Sequence, residues 1–181
     1  MGGPKALMAV GGRPWWRWQV ERLGAAGMAS CWVVNGGVMS AFESSPDAPA
    51  VRTLADASAP MFESIRTGLR SLGRVPSFVH VLPVDVPCPL PTTFATLERR
   101  AAEGVAVPTR LGLRGHPVCL AGTWIERHVL AASLGGDARL DRLIRGWTTT
   151  VETPHDPDTT INLNTPRDVD AWLASGSSTH A

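Results

Sequence analysis

Cysteine and net charge are both scarce in this chain. Three cysteines in 181 residues (Cys31, Cys88 and Cys119) make an odd number with no CxxC spacing. Reduced thiols in a cytoplasmic protein are therefore the default reading, rather than a disulfide scaffold. The formal net charge is +1, which removes any bulk electrostatic case for nucleic acid or an anionic membrane as partner. Apolar runs are no longer than a strand, so no membrane-spanning helix is expected. The N-terminus has no h-region, because Pro4 and the glycines interrupt it, and a signal peptide is not expected. There is no repeat, no linker and no low-complexity block. What remains is a chain with 44% hydrophobic residues, long enough to bury about two-thirds of its unfolded surface. One domain is expected over residues 1–174, with a polar, flexible tail over 175–181.

Pro14 is suited to the first turn of a helix, and Trp16, Val20 and Leu23 follow at helical spacing before a stop at Gly27. Cys31–Val34 reads as a buried strand emptying into a turn at Asn35-Gly36-Gly37. Residues 44–50 read as loop and Val51–Leu54 as a short strand. Phe62, Ile65, Leu69 and Leu72 share a helical face. Residues 78–84 are apolar almost throughout, as a strand buried on both faces requires. Helix is expected over 91–102, strands at 105–107 and 116–120, helix at 124–134 and 137–145, a strand at 148–152 and a last helix at 166–174. Strands alternating with helices predict an α/β fold, a Rossmann-like three-layer α/β/α sandwich with a mostly parallel central sheet.

In such sheets ligands bind beyond the carboxyl ends of the strands. Three of these ends carry polar candidates. Pro83-Val84-Asp85-Val86-Pro87 puts a carboxylate where a greasy strand stops. Asp85 is either a turn or capping residue or a hard ligand for Mg²⁺, which favours one or two carboxylates plus substrate phosphates. Asn162 and Asn164 alternate and would face one side of an extended segment. Helix capping by Asn164 or Thr165, with Asp168 favouring the helix dipole, explains most of that motif; a metal or phosphate contact is the other reading. His116, between Gly115 and Pro117, either touches a phosphate or closes a turn. His80 reads as a core histidine, and His128 and His155 as surface residues. Trp15-Trp16-Arg17-Trp18 is a stacking surface, a helix-packing face or a homodimer contact, with packing or a dimer favoured.

In this order the motifs resemble the MobA-like NTP transferase group, the cytidylyl- and guanylyltransferases of the molybdenum cofactor. Met1-Gly2-Gly3-Pro4-Lys5-Ala6-Leu7 is similar to the end of the group's opening signature, and Gly11-Gly12-Arg13-Pro14 to the segment before its first helix. Ser64-Ile65-Arg66-Thr67-Gly68-Leu69 resembles the helix start near the nucleotide base, residues 83–87 the metal-binding turn, and Asn162-Leu163-Asn164-Thr165-Pro166-Arg167-Asp168 the closing motif. Gly115-His116-Pro117 looks like the cytidylyl branch, whereas asparagine in the closing motif looks like the guanylyl branch.

The resemblance implies transfer of CMP or GMP from CTP or GTP to the phosphate of a molybdopterin-type acceptor, with Mg²⁺ and release of pyrophosphate. It implies Lys5 and Asp85 as catalytic residues and Asp85 and Asn164 as metal ligands. Gly2, Gly3, Lys5, Asn35 and Ser64 would bind the nucleotide, and His116 and Asn162 the acceptor. Two other readings share the fold: a catalytically degenerate binding protein and a sugar-phosphate nucleotidyltransferase. The group's first strand and triphosphate-cradling glycine loop are not among these residues. The expectation is a truncated start and a sheet with exposed strand edges. Phe62, where the group has small residues, is expected to crowd the base.

Overall fold

The computed structural model describes residues 3–56, 58–131 and 138–176. A two-residue hairpin leads in, β1 (Ala9–Val10) against β2 (Arg13–Pro14), with Gly11 and Gly12 both at positive φ, as a primed two-residue turn requires. The order then runs α1 (Trp15–Ala25), β3 (Cys31–Val34), α2 (Gly36–Glu43), β4 (Val51–Leu54), α3 (Met61–Ser71), β5 (Phe78–Val81), α4 (Pro91–Ala101), β6 (Val105–Arg110), β7 (Leu113–Arg114) and β8 (Val118–Ala121). It ends with α5 (Gly122–Ile125), α6 (Leu140–Leu143), β9 (Thr148–Glu152) and α7 (Pro166–Ala174). Residues Glu126–Leu130 extend α5 in a wider, π-type turn.

β5, β8, β6 and β9 lie side by side, with β7 folded back on β6. β6 and β9 are parallel, and β5 runs in their direction because both it and β6 oppose β8. β3 and β4 form a separate parallel pair. The mostly parallel α/β architecture is thus present, with β8 as the reversed strand. Among the described residues β3 is paired only with β4 and β5 only with β8, so each sheet presents an unpaired edge.

Alternation along the strands creates the three layers. Val105, Val107, Val118 and Leu120 pack against Phe62 and Leu69 of α3 and Trp124 and Ile125 of α5. Ala106, Cys119 and Val151 point the other way, onto Leu97 and Ala101 of α4. Phe62 belongs to the first of these cores. His80 shares the α4 face: its ring sits edge-on to Phe94 at 5.0 Å, with Nε2 3.1 Å from Glu98 Oε1. The core reading of His80 holds.

Trp15 and Trp16 are fully buried. Trp15 meets Trp172 of α7, and Trp16 meets Phe42 of α2. The tryptophan run is therefore a packing face, and these two rings offer nothing to a partner. His128 is not a free surface residue, since it stacks between Trp124 and Trp147.

Several expected boundaries moved. Pro14 ends β2 and caps α1 rather than starting it. The turn expected at residues 35–37 is the start of α2, with Asn35 as N-cap. Two glycines disfavour a helix by about 1 kcal/mol each, and burial of Val38 and Phe42 against Trp16 overrides that. The strand expected over 78–84 ends at Val81, and the helix expected from 137 is one turn at Leu140–Leu143. Residues 132–134 and 137, and the tail from 177, lie outside the described residues.

His80 gives the stability a sign in pH. Burial pushes its pKa below the ordinary 6.5, against an opposing pull from Glu98. Below about pH 6.5 the unfolded chain takes up a proton that the folded chain refuses, so stability falls with pH by up to about 1.4 kcal/mol per unit from this group. Urea midpoints at pH 7.5, 6.5 and 5.5 should decline for the natural chain and decline less for His80→Gln. An identical slope in the variant would remove His80 as the cause.

Candidate functional site

Three segments far apart in sequence meet beyond the C-terminal end of β5. Lys5 sits in one 3₁₀ turn, Lys5–Leu7, anchored by Ala6 in the core beneath Trp16, Val34 and Phe42. Asp85 lies in the turn that follows β5, and Asn164 immediately precedes the N-cap of α7. The Lys5 ammonium donates to Asp85 Oδ2 at 2.8 Å and to Asn164 Oδ1 at 2.6 Å. The side chains of Lys5 and Asp85 are 39% and 23% exposed, so the cluster is open enough to receive a ligand.

The scaffold holds both oxygens from the backbone side. Leu163 N donates to Asp85 O at 2.7 Å, which ties the two motifs together directly. Leu163 is buried, and Asn162 and Asn164 on either side of it are exposed, as extended backbone requires. Thr165 and Asp168 form a reciprocal capping box at α7. Asp168 Oδ2 also accepts from Asn164 N at 3.0 Å, so the cap fixes the backbone that carries Asn164. These bonds to Thr165 and Asn164 hold the half-buried Asp168 carboxyl below its ordinary range.

His116 lies between β7 and β8, near enough to Asp85 to feel its charge. Its N donates to Thr159 O at 2.7 Å, and a Cβ on neighbouring Gly115 would collide with that same carbonyl. Burial lowers the pKa of the half-buried His116, and the nearby Asp85 carboxylate partly opposes this. Its Nδ1 is buried without a protein partner. With Nδ1 closed off from solvent, a hydrogen bond from this imidazole to a ligand falls to Nε2.

Other expected residues stand further from the cluster. Asn35 is exposed at the C-terminal end of β3, where its Oδ1 accepts from Val38 N at 3.0 Å. Ser64 is half-buried in the first turn of α3. Neither shares a hydrogen bond with Lys5, Asp85 or Asn164 among the described residues. Gly3 is exposed, and Gly2 lies outside the described residues.

A metal fits the donor chemistry present. One carboxylate oxygen and one amide oxygen already converge on a single cation, the Lys5 ammonium, and hard oxygen donors suit Mg²⁺ or Mn²⁺. Among the described residues no group of three or more His, Cys, Asp or Glu side chains converges as a metal site. The remaining ligands would come from substrate phosphates and water, as Mg²⁺ commonly requires. A surface cavity of about 630 Å³, lined by Arg74, Phe78, Gly122 and Glu126 among others, lies at the start of β5. That is the opposite end of the strand from Asp85, and the convergent polar groups outweigh volume in locating the site.

Two residues whose part here was not legible in the sequence are Trp15 and Gln19, on the buried face of α1. Their polar atoms reach the backbone of the Asp85 turn. Spacing of four residues on α1 was the available signal, but it reads equally as core packing.

The MobA-like NTP transferase domain family matches residues 1–153. No curated protein sequence matches. Among solved structures, the 2-C-methyl-D-erythritol 4-phosphate cytidylyltransferase of Thermus thermophilus superposes with a TM-score of 0.63 at 20% identity, covering 96% of this chain and 94% of that one. A Mycobacterium tuberculosis protein in complex with manganese gives 0.70 at 16% identity, covering 95% and 92%. The molybdopterin-guanine dinucleotide biosynthesis protein A of Archaeoglobus fulgidus gives 0.62 at 17% identity, covering 94% and 90%. At these identities the likeness is one of fold.

Proposed function

The chain belongs to the MobA-like NTP transferase domain family, a group of divalent-metal-dependent nucleotidyltransferases. On that premise we propose that it transfers CMP or GMP from CTP or GTP to the phosphate of a molybdopterin-type acceptor, using Mg²⁺. The observation that carries the site assignment is the Lys5 ammonium held between Asp85 and Asn164. An acceptor phosphate oxygen attacks the α-phosphorus, a P–O–P bond forms, the α–β bond breaks and pyrophosphate leaves.

Such transfers depend on positioning and charge neutralisation more than on covalent help from the protein. Bound Mg²⁺ would supply charge neutralisation on the α-phosphate. Asp85 and Asn164 would hold that cation. Lys5 would turn its charge onto the triphosphate. His116 and Asn162 face the acceptor, with the imidazole Nε2 as a hydrogen-bonding group. Gly2, Gly3, Asn35 and Ser64 contact the nucleotide. Between the bases, Gly115-His116-Pro117 favours cytidine over guanosine. No helix among the described residues is long and apolar enough to cross a membrane.

The test is pyrophosphate release from CTP and from GTP, with Mg²⁺, offered molybdopterin or a sugar phosphate. The reading expects release with molybdopterin and a preference for CTP. Release with the sugar phosphate alone would move the acceptor class. No release with any pair would favour a binding protein on this fold.

A further inference from the structure

The turn carrying Asp85 is clamped at three consecutive backbone carbonyls, each by a different donor. Val84 O accepts from the Trp15 indole Nε1 at 2.5 Å, Asp85 O from Leu163 N at 2.7 Å, and Val86 O from Gln19 Nε2 at 2.6 Å. The second end of the Gln19 amide is also used: Cys88 N donates to its Oε1 at 2.8 Å. Gln19 is only 2% exposed, and Val86 and Cys88 are fully buried. Trp15 and Gln19 are one helical turn apart on α1, so a rigid element rather than a loop sets the position of the turn.

Core packing alone does not require this arrangement. A leucine would fill the place of Gln19 without desolvating an amide, which costs free energy unless every polar atom is paired. Here each polar atom is paired, and always to the turn that carries Asp85. Bonds to the backbone on both sides of a residue restrict where its side chain can point, as outer contacts do for ligating groups in metal sites.

We propose that Trp15 and Gln19 are positioning residues that fix the Asp85 carboxylate for the divalent cation. The inference rests on the reading of Asp85 as a metal ligand. Its test is Mn²⁺ binding to the free protein, read from the solution Mn²⁺ signal by electron paramagnetic resonance. Trp15→Phe keeps the ring and removes one clamp. Gln19→Glu keeps the acceptor for Cys88 N and removes the donor to Val86 O. Trp18→Phe is the control: it removes an indole bond of the same kind, Trp18 Nε1 to Val10 O at 3.0 Å, made to the hairpin and not to the turn.

Trp15→Phe and Gln19→Glu should each weaken Mn²⁺ binding about tenfold, the lower end for outer contacts of metal sites, and Trp18→Phe should bind as the natural chain does. Should Gln19→Glu not fold, Trp15→Phe decides alone. Natural affinity in Trp15→Phe, or equal weakening in Trp18→Phe, would overturn the positioning role. Asp85→Ala, measured alongside, keeps the two questions apart. Loss of Mn²⁺ binding there with none in Trp15→Phe leaves the metal site standing without its clamp, and natural binding there removes the site itself.

Discussion

Asp85→Asn should lower kcat/KM for nucleotidyl transfer by about 10³-fold, roughly 4 kcal/mol of transition-state stabilisation, and leave the fold almost as stable as before. The side chain has nearly the same size and shape, and the backbone clamps on its turn do not involve the carboxylate. What is lost is a full negative charge facing the cation. The Lys5–Asp85 pair is partly exposed, and ion pairs of that kind contribute only about 0–1 kcal/mol to stability. The large effect therefore falls on catalysis. Initial rates at saturating Mg²⁺, compared with thermal unfolding of the same preparation, check both halves. A variant that keeps more than about a tenth of the natural rate would mean that Asp85 does not touch the metal.

Arg22 gives the second large effect, on stability. Arg22 Nη2 donates to Asp158 Oδ2 at 2.8 Å, with both side chains only 5% exposed. Trp172 Nε1 bonds the other carboxylate oxygen at 2.9 Å. Burial raises the Asp158 pKa, against the pull of Trp172 and Arg22. Arg22→Met removes the cation and leaves a buried carboxylate with one neutral donor. Breaking a buried pair in this way costs about 3–5 kcal/mol, because the survivor is uncompensated. For a chain of this length that corresponds to a fall of roughly 6–20 °C in melting temperature.

The double variant Arg22→Met/Asp158→Asn keeps an acceptor for Trp172 and has no charge to strand. It should recover most of the loss. Arg139–Asp141, more than half exposed on both sides, should cost little when broken. A loss for Arg22→Met no larger than for that surface pair, or no recovery in the double variant, would contradict the account.

Much of the fold could be read from the sequence where one local rule dominated. A cap for α7 at Asn164 or Thr165, the apolar face of α3 and the greasy β5 each follow from spacing within a dozen residues. Elements that depend on distant partners could not. α2 begins with two glycines and exists because Val38 and Phe42 are buried. The β1–β2 hairpin carries a Gly-Gly turn signal, but its strands are two residues long.

The same division runs through the site. Lys5, Asp85 and Asn164 were named by motif, yet only folding shows that one ammonium bridges residues 80 and 159 positions away. His116 was as consistent with a turn as with a contact, and it is placed beside Asp85 by the fit of Gly115 against Thr159. Trp15 lies in a run that reads as a helix packing face, and nothing in the sequence assigns Gln19 or Arg22 a polar partner. Their partners, 67 to 136 residues away, make them the frame of the Asp85 turn and of the segment leading to Asn164.

Asp85 and Asn164 are proposed to form a cation position that Lys5 fills in the absence of metal. Anomalous scattering from crystals soaked with Mn²⁺ and CTP tests this most directly. The expected result is a manganese peak bonded to both Asp85 and Asn164, with Lys5 moved onto the triphosphate. A manganese peak bonded to other residues, with Lys5 still held between Asp85 and Asn164, would contradict it.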